Sequence, residues 1–194
     1  TTRGLDPKGV YAPINAVFFQ NALVTPRSLY AGRGPNTDTI YFTGWLDLSH
    51  GPVTVDAPDT NDRYYALTFA DLYSEVQHTG RRTTGTKAQR LYVVGPDWKG
   101  EAPAGVQVIH MRTHWAYILG RVLVEGPKDF PAASKLMRQF KIAGPAAAAS
   151  APRSYPVKDD LTSLAAFRFI NTFLRTNPRQ PGEEALMAQF DKAG

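Results

Sequence analysis

Between residues 40 and 124, the apolar positions of the chain recur at every second residue in short segments. Gly, Pro, Asn and Asp separate these segments, as is typical of β-strands joined by tight turns. The segments are 40–45, 53–58, 63–71, 91–94, 107–111 and 115–124. This rhythm predicts a mainly β fold, an antiparallel β-sandwich of jelly-roll-like form.

The last part of the chain has helical spacing instead. Apolar residues recur three and four positions apart in residues 130–140 and 160–175, which predicts a helix in each. Residues 183–190 predict one more short helix. These helices carry more apolar residues than a solvated tail needs, so we expect them to pack on a partner surface.

A low-complexity linker divides the two patterns. Residues 144–152 read GPAAAASAP, which favours neither a strand nor a packed helix. We therefore expect a β-sandwich domain over residues 1–143, followed by a linker and helical section over residues 144–194.

Composition and charge narrow the class of protein. The chain has 194 residues, 43% hydrophobic and 20% charged, as expected for a globular protein, and no apolar run approaches the ~20 residues of a membrane span. It contains no cysteine, which excludes disulfides and thiolate metal sites. The net charge of +5 is diffuse except over residues 81–90, a Gly- and Thr-rich loop without aromatics, so we expect no nucleic-acid partner.

The turn before the first strand carries a cluster of small polar side chains, residues 36–39 (NTDT). In a structural interpretation, Asn36 and Asp38 hydrogen-bond nearby backbone amides and fix the start of the strand. In a functional interpretation, Asp38 and Tyr41 face a pocket together with Arg63. The sequence leaves both interpretations open.

The third strand combines charged and aromatic residues. Arg63 and Asp71 share one face but lie roughly 26 Å apart along a straight strand, so each needs a partner from elsewhere. Tyrosine and arginine are common both in binding pockets and in sandwich cores. The catalytic candidates are Asp38, Tyr41, Arg63 and Asp71, and the ligand-binding candidates are Asn36, Tyr65, Tyr73, Arg82 and Trp98.

The sequence contains no recognisable motif for metal binding or for a catalytic nucleophile. His110 and His114 have the i, i+4 spacing of two metal ligands, but Arg112 between them would repel a cation. The chain has no Gly-x-Ser-x-Gly elbow and no phosphate-binding Gly-x-x-x-x-Gly-Lys-Ser/Thr run. We expect no metal and no cofactor.

An ordered series of short motifs over residues 10–143 resembles the domain-of-unknown-function 1254 (DUF1254) family. The resemblance implies a jelly-roll β-sandwich and a periplasmic or secreted bacterial protein. It also implies a second β-domain, of the DUF1214 type, to which residues 144–194 would lead. The motifs are NTDTIY (36–41), WLDL (45–48), Gly51-Pro52, RYY (63–65), DLY (71–73), Gly80, Thr84-Gly85, GPDWKG (95–100) and Gly120-Arg121.

Three functions are compatible with these patterns. The first is binding of a small molecule or glycan at one sheet face. The second is a hydrolase or lyase at that face or at the domain junction, with Asp38 or Asp71 as acid or base, Arg63 holding an anionic group and a tyrosine assisting. The third is a structural assembly module. The expected macromolecular partner is a second β-domain or another copy of the chain.

Overall fold

The structure of the chain is a computed structural model that describes residues 12–23, 36–145 and 180–193. It also describes residues 164, 167, 168, 170, 171, 175 and 177. The chain forms two compact units, Thr1–Ser154 and Tyr155–Gly194, which we call the sandwich unit and the helical unit.

The described part of the sandwich unit consists of two β-sheets and one short helix. Its strands are β1 (Phe18–Phe19), β2 (Thr39–Asp47), β3 (Val53–Ala57), β4 (Tyr65–Asp71), β5 (Val76–Gly80), β6 (Gln89–Val94), β7 (Gln107–His110), β8 (Trp115–Leu123) and β9 (Lys141–Ala143). Helix α1 (Phe130–Met137) lies between β8 and β9, and helix α2 (Glu184–Ala193) belongs to the helical unit. The predicted mainly β, sandwich-like fold is confirmed.

The strand order positions β4 and β8 at the centre of the larger sheet. This five-stranded sheet has the order β1-β2-β8-β4-β5, and the four-stranded sheet has the order β7-β6-β3-β9. Neighbouring strands are antiparallel except β6 and β7, which are parallel and are joined by the long loop 95–106.

Alternation along each strand places one set of side chains between the sheets. The ring of Phe140 lies 5.2 Å from that of Phe42 and 5.5 Å from that of Tyr65, measured between centroids. Gly120 leaves room for Phe42, because a Cβ at Gly120 would lie 2.0 Å from that ring. The largest buried side chains include Tyr65, Phe42, Phe69, Ile40, Leu46, Leu67, Leu91, Ile118, Met137, Val53, Val55 and Val93.

The opposite face of the five-stranded sheet, which we call the outer face, carries a different set of residues. On β2 and β8, Tyr41 pairs with Arg121 and Trp45 pairs with Tyr117. On β4, every second residue points outward and is small: Ala66, Thr68 and Ala70. The outer face is therefore ridged along β8 and shallow along β4.

The strands predicted from alternation correspond to β2, β3, β4, β6, β7 and β8, and the helix predicted at 130–140 corresponds to α1. Strands β1, β5 and β9 were not predicted. The helix predicted at 183–190 appears as α2, and the described residues 164, 167, 168, 170, 171 and 175 are helical; the rest of 160–175 lies outside the described residues. No described helix combines the length and apolar character needed to cross a bilayer.

Candidate functional site

A cleft of about 290 Å³ opens on the outer face where β8, β4 and β5 lie side by side. We call it the arginine cleft, because it contains two guanidinium groups and no carboxylate. It is lined by Tyr64, Tyr65, Ala66, Thr68, His78, Thr79, Gly80, Arg82, Thr83 and Arg121.

The floor of the arginine cleft is set by the register of three strands. Ala66 pairs with Arg121 on one side and with Gly80 on the other, so the small side chain lies beside a long cationic one. Thr68 pairs with His78, and the Thr68 hydroxyl lies 3.0 Å from His78 Nδ1. Small floor residues between larger wall residues leave the concave space in which a ligand can lie.

The loop after β5 holds Arg82 at the edge of the cleft. The carbonyl oxygen of Gly80 accepts the backbone N–H groups of Thr83, Thr84 and Gly85 at 3.0, 2.8 and 3.1 Å. Gly80 has φ +143°, and a Cβ there would lie 2.4 Å from the carbonyl oxygen of Tyr65, so only glycine fits. The folded loop places the Arg82 guanidinium 5.4 Å from the Tyr64 ring centroid.

Arg121 provides the second cation, on β8. Its guanidinium lies 5.8 Å from the ring centroid of Tyr41, its partner on β2. The Nε atom of Arg121 is buried without a hydrogen-bond partner. Within the described part of the chain, no carboxylate lies within ion-pair distance of Arg121 or Arg82.

Tyr65 lies behind the cleft, with its ring in the core. The Gln89 side chain donates a hydrogen bond of 2.5 Å to the Tyr65 hydroxyl oxygen. Burial raises the pKa of Tyr65, because a phenolate would lose its hydration in the core. The hydroxyl therefore remains protonated at neutral pH.

Arg63 forms an ion pair outside the arginine cleft. Its Nη1 and Nη2 atoms donate to the two carboxylate oxygens of Asp129 at 2.5 and 2.7 Å, and Nη1 also donates to the Leu123 carbonyl at 2.9 Å. The Arg63 hydrogen bonds, followed by that from the Glu125 backbone, lower the pKa of Asp129. The same pairing raises the pKa of Arg63.

Asp71 stabilises the turn between β4 and β5. One carboxylate oxygen accepts the backbone N–H groups of Tyr73 and Glu75 at 2.8 and 2.9 Å. The other accepts a hydrogen bond of 2.8 Å from Arg112 Nε. As the spacing of the third strand required, Asp71 and Arg63 each have a partner from elsewhere in the chain.

The remaining candidates are spread over the surface. Asn36 and Asp38 are exposed, and the Asp38 carbonyl oxygen accepts the Val124 N–H at 2.7 Å. Trp98 is half-buried, with its ring centroid 6.2 Å from that of His110. Tyr73 is half-buried in the turn after β4.

Comparison with known proteins assigns the family. The protein-family model described as "Protein of unknown function (DUF1254)" matches residues 14–144, more than half of the chain. The chain belongs to the DUF1254 family. The resemblance predicted from the motif series is confirmed, and no curated protein matches the chain.

The DUF1254 domain is similar to solved structures. It is 28% identical to the VPA0106 protein from Vibrio parahaemolyticus, with a TM-score of 0.60, over 73% of this chain and 37% of that protein. An uncharacterized protein from Burkholderia cenocepacia is 12% identical, with a TM-score of 0.42, over 59% of this chain and 33% of that one. The second likeness is too distant to support an argument. The chain thus spans well under half the length of these two solved proteins.

Of the predicted site residues of the DUF1254 domain, Arg82 and Tyr65 line the arginine cleft, and Tyr41 contacts Arg121, which also lines it. The structure does not bring the four catalytic candidates together, because Arg63 and Asp71 lie near opposite ends of β4. The predicted site residues did not include Arg121, His78 or Tyr64, although Tyr64 and Arg121 stand in the RYY and Gly120-Arg121 motifs. One signal was present for Arg121, a lone charge at an outward position of an otherwise apolar strand.

The two histidines of the DUF1254 domain considered as metal ligands have separate neighbours. His110 packs against Trp98, whereas His114 Nε2 lies 2.7 Å from an oxygen of Asp97. Among the described residues, no group of three or more His, Cys, Asp and Glu side chains is arranged to hold a metal ion.

Proposed function

We propose that the DUF1254 domain binds a small organic anion in the arginine cleft. The observation that carries this proposal is the pair Arg82 and Arg121, which line one cleft without a carboxylate between them. Arg63 and Arg112, in contrast, each have a carboxylate partner. An anion in the cleft would supply the missing partner.

The chemistry of the guanidinium group supports the same proposal. A carboxylate or phosphate oxygen that accepts hydrogen bonds from Arg82 and Arg121 gains the added strength of a charged pair. The neighbouring Thr68, Thr83 and His78 side chains offer further polar contacts for an oxygen-rich ligand, including an acidic sugar.

The test measures binding of short carboxylates by calorimetry or by NMR shift titration. Butanoate and glucuronate serve as probes, and butylamine serves as the cationic control. We expect Arg121→Gln and Arg82→Gln each to weaken carboxylate binding by about tenfold, the loss of one charged hydrogen bond. Arg121→Lys should restore part of the affinity, because it keeps the charge.

Arg90→Gln is the matched control, because the exposed Arg90 lies on β6 of the other sheet and pairs with Asp56. It should bind both probes as the wild type does. The proposal is overturned if neither carboxylate binds, or if the two cleft variants and the control bind equally well.

A second proposal concerns the helical unit, which we propose to be an interaction segment for a second β-domain or another copy of the chain. This proposal is supported by a set of large apolar side chains that are exposed in the single chain and that a partner surface would bury. They are Leu164, Phe167, Ile170, Leu186 and Phe190, each about half exposed or more.

A further inference from the structure

The arginine cleft lies at one end of a strip along β4, which we call the groove, where the paired residues of β8 change from cationic to apolar. Its floor consists of the outward residues Ala66, Thr68 and Ala70. The cleft occupies the part over Ala66 and Thr68. The part over Ala70 extends the same floor by one more pair of residues toward the β4–β5 turn.

The walls of this groove follow from strand register. On the β8 side, Arg121, Leu119 and Tyr117 pair in turn with the three floor residues. On the β5 side, Val76 pairs with Ala70, and its side chain is 49% exposed. Residues directly opposite on antiparallel strands project from the same face, so Ala70 lies between Tyr117 and Val76.

The apolar wall on the β8 side is held by a packed aromatic pair. The rings of Tyr117 and Trp45 have centroids 5.3 Å apart. Burial raises the pKa of Tyr117, whose hydroxyl lies near Thr43, so the side chain stays neutral at physiological pH. The end of the groove over Ala70 therefore offers neutral, largely apolar surface.

From these observations we infer that the cleft takes an amphipathic monocarboxylate with an unbranched apolar tail. This inference rests on the proposed function. The carboxylate lies between Arg121 and Arg82. The tail lies along β4 over Thr68 and Ala70, with Leu119 and Tyr117 on one side and His78 and Val76 on the other. Charge at one end and apolar surface at the other fix the direction of the ligand.

The groove also sets the length of the tail. Arg121 and Tyr117 are four residues apart on β8, which corresponds to about 13 Å along a strand and to a tail of roughly six to ten carbons. A second carboxylate at the far end of the tail would lose hydration against Tyr117 and Val76 without gaining an unpaired cation, because Arg112 at the β4–β5 turn already pairs with Asp71. The groove therefore selects one charged end.

The experiment compares the affinities of butanoate, hexanoate and octanoate for the full 194-residue chain. Full burial of a methylene group strengthens binding about fourfold, and an open groove covers roughly half of each group, so we expect about a twofold gain per added methylene. Octanedioate should bind much more weakly than octanoate. Octylamine tests whether the tail alone is sufficient, and it should not bind.

The variants test where the tail lies. Val76→Glu places a charge at the apolar end, so the ratio of octanoate to butanoate affinity should fall from roughly tenfold or more toward one. Val76→Gln separates the effect of charge from that of shape, and it should lower the ratio less. Gln139→Glu adds the same charge at an exposed site beyond α1, and it should leave the ratio unchanged.

The outcomes separate this inference from the proposed function. Arginine-dependent butanoate binding with no gain from a longer tail, or with octanedioate equal to octanoate, overturns the inference and leaves the anion cleft standing. Octanoate binding that Arg121→Gln and Arg82→Gln do not weaken, or that octylamine reproduces, overturns both. The inference is also overturned if Val76→Glu and Gln139→Glu change the ratio of octanoate to butanoate affinity equally.

Discussion

The Arg63–Asp129 pair joins three parts of the sandwich unit. Arg63 lies just before β4, its Nη1 donates to the carbonyl at the end of β8, and Asp129 is the N-cap residue of α1. Asp129 makes no side-chain capping bond to the helix, because its carboxylate receives Arg63 and the Glu125 backbone instead. Both side chains are about one-fifth exposed, so water screens the pair only in part.

Asp129→Asn tests the contribution of this pair to stability. Asparagine keeps the shape but removes the charge, which leaves the Arg63 guanidinium without its counter-ion. We expect a loss of about 1–2 kcal/mol in the free energy of unfolding at pH 7, measured by urea denaturation. Asp56→Asn is the control, since its partner Arg90 is well exposed, and it should change stability little.

The same pair predicts a pH dependence. The folded-state pKa of Asp129 lies below its ordinary value of 3.8, so the stabilisation is complete above that value and is lost as the pH falls through the lower, folded pKa. The stability difference between wild type and Asp129→Asn should be constant above about pH 5 and shrink in more acidic solution. A difference that stays the same down to pH 3 would contradict this assignment.

At the scale of elements, the loop between β5 and β6 determines where Arg82 lies. The Thr84 hydroxyl accepts the Gly80 N–H at 3.1 Å and a hydrogen bond from the Gln89 side chain at 2.8 Å. It therefore connects the start of the loop to the first residue of β6. The cleft depends on this loop, because Arg82 reaches Tyr64 only when the loop folds back over β5.

Thr84→Val removes these two hydrogen bonds, and also the one of 3.4 Å that the Thr84 hydroxyl donates to the Gly80 carbonyl oxygen, while keeping the side-chain volume. We expect faster hydrogen exchange at the backbone amides of Thr83, Thr84 and Gly85, because their acceptor Gly80 is less firmly held. Thr86→Val is the matched control in the same loop, where the described residues give the hydroxyl no hydrogen-bond partner. Equal exchange in the two variants would show that Thr84 does not organise the loop.

The elements also show which parts of the fold local sequence can encode. Strands β2, β4 and β8 were predicted because a strand with one buried face has apolar residues at every second position. Strand β5 was missed, since three of its five residues are exposed and pairing with β4 alone makes it a strand. The cleft was missed for a related reason: Arg82 and Arg121 meet only because β5, β4 and β8 are neighbours, and a local motif does not encode that order.

At the scale of the whole molecule, the local density of polar residues was a poor guide to the site. Most of the candidates came from residues 36–73, where aspartates and tyrosines cluster in the sequence. The structure gives Asp71 and Arg63 partners far along the chain, Arg112 and Asp129, which hold turns and a helix in place. Arg82 and Arg121 have no such partner among the described residues and line one cleft, and that contrast becomes visible only when long-range pairings are known.

The last prediction concerns self-association of the chain through the helical unit. Its exposed apolar residues should drive association when no second β-domain is present, because two copies can cover each other's apolar surface. Sedimentation at rising concentration should therefore show species heavier than the 21.3 kDa chain. The double variant Leu164→Ser and Phe167→Ser should shift the population toward the single chain, whereas Asn171→Ser, an exposed polar position of the same segment, should not. A wild-type chain that stays at 21.3 kDa at high concentration would count against self-association and favour a different partner for this surface.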